Sequence, residues 1–205
     1  MAAPSQIETF HQLPLTIDPS TKAISTSSDD VTLQNHLEEL NKIHREFISL
    51  ETPNQVPPPP APVKPKRSVQ ITKLRESGNA SYKKGSYDEA LNFYQLAIRM
   101  ASDRPGWEAS GLVREELSAL YNNSAQVHMA QQKWAEGAVD AEVSVEVKKV
   151  GNIKGWWRRG MCLKEMGRRE EAREWIEQGL GLERQGPKKG DVGDLETLAR
   201  ELEKA

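Results

Sequence analysis

The sequence has a single cysteine, Cys162, so no disulfide bond can form within the chain, and a reducing compartment is compatible with this composition. No apolar run approaches the about 20 residues that a membrane-spanning helix needs. The first residues, MAAPSQIETFHQ, lack the basic flank and apolar stretch of a secretory signal. We therefore expect a cytosolic protein that does not itself insert into a membrane.

The charges nearly balance, with 28 Lys and Arg against 30 Asp and Glu in 205 residues. A net charge of −2 argues against a general nucleic-acid binder, which would be basic. The chain also lacks a phosphate-binding loop, a metal-ligand spacing and a nucleophile elbow. We expect no enzymatic activity, no cofactor and no metal site.

Proline is concentrated in residues 56–66, VPPPPAPVKPK. Such a run holds the backbone extended, so we predict a linker over residues 54–67, with a ligand for a proline-binding domain as the alternative. This linker would separate an N-terminal segment, residues 1–53, from a C-terminal domain, residues 68–205.

The N-terminal segment contains two short units. HQLPLTIDPSTKAIS alternates apolar and polar residues around a turn signal and predicts a small strand or hairpin. Residues 33–50 carry apolar side chains at steps of three and four, which predicts an amphipathic helix. Neither unit can bury its apolar face alone, so they either fold back on the C-terminal domain or dock on a partner. We favour docking, through Leu13, Leu15, Ile17, Leu37, Leu40 and Phe47.

The C-terminal domain contains an internal repeat. Two stretches match at a constant offset of 82 residues: Leu74 with Trp156, Gly78 with Gly160, Gly85 with Gly167, Ala90 with Ala172, and Ala97 with Gly179. A weaker copy lies between them, and its Ala125 precedes Gly160 by 35 residues, close to the tetratricopeptide period of about 34. About 13 residues beyond that period fall in MASDRPGWEASGLVREEL.

These motifs resemble the tetratricopeptide repeat (TPR) signature over residues 72–182. The resemblance implies an all-α, three-repeat helical solenoid, and GDLETLARELEKA resembles its C-terminal capping helix. Trp156 would take the packing position of the third repeat, with Gly160 admitting the neighbouring helix. Gly137 and Ala141 depart from the signature, so we expect the second helix of the middle repeat to pack loosely.

The first helices of such repeats line a concave groove. Five polar residues fall at aligned places on those helices: Arg75, Asn79, Asn123, Lys154 and Arg158. Three cations and two amides suit a ligand with two adjacent carboxylates, such as a peptide ending in Asp. Trp157 either borders this groove or belongs to the core between helices.

The five residues resemble the dicarboxylate clamp of TPR co-chaperones, with Arg75 at a place where that family has Lys. The resemblance implies binding of the Glu-Glu-Val-Asp tail of cytosolic heat-shock chaperones of the seventy- and ninety-kilodalton classes. The whole layout resembles the small cytosolic TPR subunit of the fungal Sec complex for post-translational translocation into the endoplasmic reticulum (ER). That family implies a peripheral location at the ER membrane, through a membrane-anchored sister subunit held by the N-terminal segment. The alternatives are a free cytosolic co-chaperone and a structural scaffold.

Overall fold

A computed structural model describes residues 12–49, 65–106, 108–186 and 192–203. The chain divides into two compact units between residues 59 and 60. The structure confirms the predicted class, since most of the described residues are helical and their strands form one small hairpin. None of the helices in these ranges has the length and hydropathy needed to cross a membrane.

The predicted hairpin is present. Strand β1 (Leu15–Ile17) pairs antiparallel with β2 (Ile24–Thr26). Asp18 closes the turn, because its Oδ1 accepts hydrogen bonds from the Ser20 hydroxyl and from backbone N–H groups. Those donors, of which the Ser20 hydroxyl has the largest effect, hold the pKa of Asp18 well below its usual value.

Helix α1 (Val31–Ile48) follows the hairpin, and the side chain of Asp30 caps its N-terminus. The Asn41 side chain then joins this helix to β2. Its Oδ1 accepts from the N–H of Ile24 at 2.8 Å, and its Nδ2 donates to the Ile24 carbonyl at 2.7 Å. The N-terminal unit is thus a hairpin fastened to one helix.

The second unit consists of helix pairs. Its helices are α2 (Pro65–Lys83), α3 (Tyr87–Ser102), α4 (Ser110–Ala130), α5 (Trp134–Val147), α6 (Ile153–Glu165), α7 (Arg169–Gln185) and α8 (Gly193–Glu203). The second helices of the three pairs begin at Tyr87, Trp134 and Arg169, which are aligned positions of the predicted repeats. The three-repeat solenoid is therefore confirmed.

Small residues allow the helices of a pair to approach closely. A Cβ on Gly160 would lie 2.5 Å from Cδ1 of Ile176, and one on Gly78 would lie 2.5 Å from the Tyr94 ring. The middle repeat packs equally well: Ala141 is fully buried, and a Cβ on Gly137 would lie 3.0 Å from the Cys162 sulfur. The expected loose packing there was wrong, because small residues bring α5 closer instead of leaving a void.

Helix α8 covers the end of the solenoid, as predicted for a capping helix. Its Leu195, Leu198 and Leu202 are buried in one core cluster with Trp156 and Ile176. The Trp156 ring fills the interior of the third repeat, and its Nε1 donates to the Lys149 carbonyl at 2.9 Å. Trp156 therefore has the packing role that its sequence position predicted.

The connection from α3 to α4 accounts for the extra residues of the first repeat, together with a long α4. Arg104 anchors this connection: its buried guanidinium pairs with Glu108 and Glu116 and donates to the Ser68 hydroxyl at 2.8 Å. These hydrogen bonds raise the pKa of Arg104 against the opposing effect of burial, which is the largest single influence.

Helix α2 begins at Pro65, three residues before the predicted domain start at residue 68. Proline suits the first turn of a helix, since it has no N–H to leave unpaired. The rest of the predicted linker, residues 54–64, lies outside the described residues, and the boundaries of the three predicted regions stay a prediction.

Candidate functional site

The five residues predicted for the groove line one cavity of about 580 Å³. Arg75 and Asn79 come from α2, Asn123 from α4, and Lys154 and Arg158 from α6. One turn of helix separates the members of each pair, so both side chains leave the same face. The structure thus brings all five together, and their role in binding stays a prediction.

The cavity wall also contains residues that the sequence did not single out: Glu115, Ser118, Ala119, Asn122, Lys148, Gly151, Asn152 and Ile153. The lining therefore holds four cations, from Arg75, Lys148, Lys154 and Arg158, against one acid, Glu115. The positive excess makes the cavity suited to an anionic ligand.

Asn79 and Asn123 are held in one orientation. Oδ1 of Asn79 accepts from the Tyr94 hydroxyl at 2.7 Å and from Nδ2 of Asn123 at 3.0 Å. With that oxygen occupied twice, Nδ2 of Asn79 is the group that can donate to a ligand. Burial raises the pKa of Tyr94 to about 12, so its hydroxyl stays a donor at neutral pH.

Arg158 is the most deeply placed cation of the cavity, with only 9% of its surface exposed. Its Nη1 donates to Oδ1 of Asn122 at 3.1 Å, and its Nη2 donates to Oε1 of Gln126 at 2.8 Å. Both acceptors are neutral, and no carboxylate of the described residues forms an ion pair with this guanidinium. Burial lowers the pKa of Arg158. A buried cation without a counter-ion is costly, and an incoming carboxylate would relieve that cost.

A chain of amides supports Arg158 from behind. Asn122 donates to Oδ1 of Asn152 at 2.7 Å, and Asn152 donates to the carbonyl of Ser144 at 2.9 Å. The buried carboxylate of Glu183 in α7 accepts from the backbone N–H groups of Gly151 and Asn152 at 2.9 and 2.8 Å. Glu183 thereby fixes the turn from which Lys154 and Arg158 extend.

Arg75 and Lys154 flank Arg158 closer to solvent. Arg75 is half-buried and Lys154 is exposed, and both side chains reach the same cavity. Trp157 does not line this cavity; it is half-buried and packs against the core of α6, α7 and α8. Of the two positions considered for Trp157, the structure supports the core.

The predicted docking residues of the N-terminal unit differ in exposure. Leu13, Leu15, Leu40 and Ile17 are exposed, Ile17 to 64%. Phe47 is half-buried. Leu37 is only 6% exposed, because helix α1 turns this side chain inward, so it stabilises the fold and is not available for docking.

Comparison with known proteins finds a matching family model and a relative of this chain. A family model of the tetratricopeptide repeat matches residues 76–104 and 153–185. The ER protein translocation subcomplex subunit sec67 of Schizosaccharomyces pombe is 32% identical over 145 residues, which cover 70% of this chain and 75% of that protein. The chain belongs to the family of this translocation subunit. The family model skips the middle repeat, where Gly137 and Ala141 depart from the signature.

Solved structures that share the fold include the following two. A chain in the cryo-EM structure of the Sec complex from S. cerevisiae matches with a TM-score of 0.62 and 24% identity, over 92% of this chain and 95% of that chain. The second TPR domain of human RPAP3, solved in complex with the HSP70 peptide SGPTIEEVD, matches with a TM-score of 0.52 and 21% identity, over 68% of this chain and 99% of that chain.

Proposed function

We propose that this chain is a non-catalytic adaptor whose cavity binds the acidic C-terminal tail, of Glu-Glu-Val-Asp type, of cytosolic heat-shock chaperones. The observation that carries the proposal is Arg158, a buried guanidinium paired only with amide oxygens among the described residues. Arg75 and Lys154 bring two further positive charges to the same cavity.

The chemistry of such a tail matches the cavity. A terminal Asp presents its α-carboxylate and its side-chain carboxylate within a few ångströms, and each needs several donors. Asn79 and Asn123 supply neutral donors beside the cations. Charge-assisted hydrogen bonds contribute roughly 1.5–3 kcal/mol each, and ordering a flexible tail cancels part of that gain. We therefore expect micromolar binding that weakens with salt.

We further propose that the adaptor delivers these chaperones, with their bound precursor proteins, to the ER translocation channel. Its relative sec67 is an ER translocation subunit, and its fold matches a chain of a Sec complex over both units. The exposed Leu13, Leu15, Ile17 and Leu40 would dock on a membrane-anchored sister subunit. That subunit would hold the chain at the cytosolic face of the ER membrane.

The binding proposal is tested by calorimetric titration of the full chain with a peptide ending in Glu-Glu-Val-Asp. The same peptide amidated at its C-terminus is the ligand control. Lys154→Met removes an exposed cavity cation, and Lys73→Met, also exposed but on α2 outside the cavity, is the matched control. We expect amidation and Lys154→Met each to weaken binding at least tenfold, a loss of about 1.4 kcal/mol or more. Equal affinity for the acid and the amide would contradict the proposal.

The docking proposal has its own test, in which the chain is mixed with ER-derived microsomes and sedimented. Ile17→Asp and Leu13→Asp together should leave the chain in the supernatant, because a charge cannot be buried cheaply in an apolar interface. Val139→Asp, at an exposed apolar residue of the second unit, should still sediment. Sedimentation of both variants would contradict docking through this surface.

A further inference from the structure

Lys148 and Glu115 form an ion pair on the wall of the candidate cavity. Nζ of Lys148 lies 2.7 Å from Oε2 of Glu115. Glu115 belongs to α4, and Lys148 follows α5 directly. Both residues also line a second, neighbouring cavity of about 830 Å³. The pair therefore stands where the two cavities meet.

Lys148 lies on the wall of the candidate cavity together with Arg75, Lys154 and Arg158. Nζ of Lys148 lies 3.9 Å from where a Cβ on Gly151 would stand, and Gly151 has a φ of +73°. A residue with a Cβ would be strained at this φ, although its contact with the lysine would be an ordinary van der Waals contact. Gly151 and Asn152 then lead directly into α6 and Lys154.

We propose that Lys148 is a sixth ligand-binding residue, which takes a carboxylate upstream of the terminal residue of the bound tail. Glu115 is its counter-ion in the empty cavity and is displaced when the ligand arrives. This inference rests on the proposed function and adds a residue and a ligand position to it. The ligand that this proposal implies is a peptide with an acidic side chain upstream of a C-terminal acidic residue.

The exchange of one carboxylate for another is energetically easy. The Glu115 side chain is 63% exposed, so it returns to water at little cost when it releases Lys148, whose side chain is 29% exposed. A ligand already anchored by its terminal residue presents its next carboxylate at a high effective concentration. Glu115 meanwhile opposes acidic ligands, so it limits affinity and favours release.

The second cavity gives the rest of the ligand a path. Beyond the ion pair its wall includes apolar residues, three cations and two acids: Val113, Leu117, Val150, Arg104, Arg114, Lys149, Glu108 and Glu146. A peptide chain anchored at Arg158 can cross the pair into this space. Its upstream acid is then brought over Lys148, which supports the assignment of that lysine to a side-chain carboxylate.

The test is a cycle of calorimetric titrations on the full chain. One peptide ends in Glu-Glu-Val-Asp and the other in Gln-Gln-Val-Asp, which keeps both terminal carboxylates. The variants are Lys148→Met and Glu115→Gln. The matched control is Lys149→Met, since Lys149 pairs with Glu146 and lines only the second cavity.

We expect Lys148→Met to weaken the Glu peptide about threefold or more and to leave the Gln peptide unchanged. Glu115→Gln should raise the affinity for the Glu-Glu-Val-Asp peptide more than the affinity for the Gln-Gln-Val-Asp peptide. Lys149→Met should change the two affinities by the same factor. If Lys148→Met changes both peptides by the same factor, Lys148 is not a ligand for the upstream acid. That result leaves the proposed function intact. Equal affinity for the free-acid and the C-terminally amidated peptide would instead contradict the proposed function itself.

Discussion

Arg158 of α6 donates to the side-chain oxygen of Gln126 on α4 over 2.8 Å, so the buried cation of the cavity rests on a neutral amide of the neighbouring repeat. The same amide donates to the Tyr82 hydroxyl of α2 at 3.3 Å. One glutamine thereby connects the first helices of all three repeats. A carboxylate at this place would neutralise Arg158, and its absence leaves the positive charge for a ligand.

Gln126→Glu should therefore stabilise the fold and impair binding. The new carboxylate accepts from Arg158 and from the Tyr82 hydroxyl, which can turn to donate. A hydrogen bond between charged groups contributes about 1.5–3 kcal/mol, so we expect a higher free energy of unfolding in urea. Affinity for the Glu-Glu-Val-Asp peptide should fall at least tenfold.

Gln178→Glu adds the same charge at an exposed position of α7 and is the matched control for this substitution. It should leave peptide affinity unchanged within a factor of two, about 0.4 kcal/mol. Full peptide affinity in Gln126→Glu would show that the charge of Arg158 is not what the ligand recognises.

The Tyr94 hydroxyl should make stability depend on alkaline pH. Burial raises its pKa to about 12 from 10.0, so between these values the folded chain keeps a proton that the unfolded chain loses. The stability that the protonated Tyr94 hydroxyl adds to the folded chain is fully present below pH 10.0 and is lost as the pH rises towards 12. In urea unfolding, the stability of the unsubstituted chain relative to Tyr94→Phe should fall across this window. A constant difference from pH 9 to 12 would contradict this assignment, and Tyr121→Phe controls for loss of a phenol.

Gly160→Ala should destabilise the third repeat. Its Cβ would lie 2.5 Å from Cδ1 of Ile176 and 2.8 Å from Cγ1, so the helices α6 and α7 must move apart. We expect a loss of about 1–3 kcal/mol in the free energy of unfolding. Ile176→Val, which removes Cδ1, should recover part of the loss when combined with Gly160→Ala.

Gly181→Ala is the matched control, since Gly181 also lies within a helix but a Cβ there meets no atom within 4 Å. Alanine is the better helix former, so this variant should gain about 0.5–1 kcal/mol. Equal effects at the two glycines would mean that close packing at Gly160 does not matter.

Asn41→Ala should loosen the hairpin of the N-terminal unit. This one side chain makes two hydrogen bonds between α1 and β2: its Oδ1 accepts from the Ile24 N–H, and its Nδ2 donates to the Ile24 carbonyl. In hydrogen–deuterium exchange of the full chain, the Ile24 amide should exchange at least tenfold faster, a loss of about 1.4 kcal/mol in protection. Asn35→Ala, at an exposed position of the same helix, should leave that amide protected.

Much of the repeat domain could be predicted because its packing residues recur at regular intervals along the sequence. The constant offset between Gly78 and Gly160 marks two helix pairs with the same close approach, and the structure confirms both. Equivalent residues of stacked repeats face the same side, so the sequence alone predicts Arg75 and Lys154 in one groove. For the middle repeat the prediction of loose packing was wrong, because a weak match to the signature does not imply weak packing.

The partners of the cavity residues could not be predicted in this way. Asn122 adjoins the predicted Asn123, yet nothing in helical spacing says that it reaches Arg158 and Asn152. Glu183 is 32 residues from Gly151, whose N–H it accepts from, and Glu115 is 33 residues from Lys148.

The sequence by itself determined the number of repeats, the faces of their helices and three of the four cations that share a groove, because these follow from local periodicity repeated along the chain. Only the tertiary structure decided which cation is buried, which amides hold it and which acid opposes the ligand. Those properties depend on the rotation and separation of neighbouring helices. Close packing at Gly78, Gly137 and Gly160 sets that separation through contacts far apart in sequence.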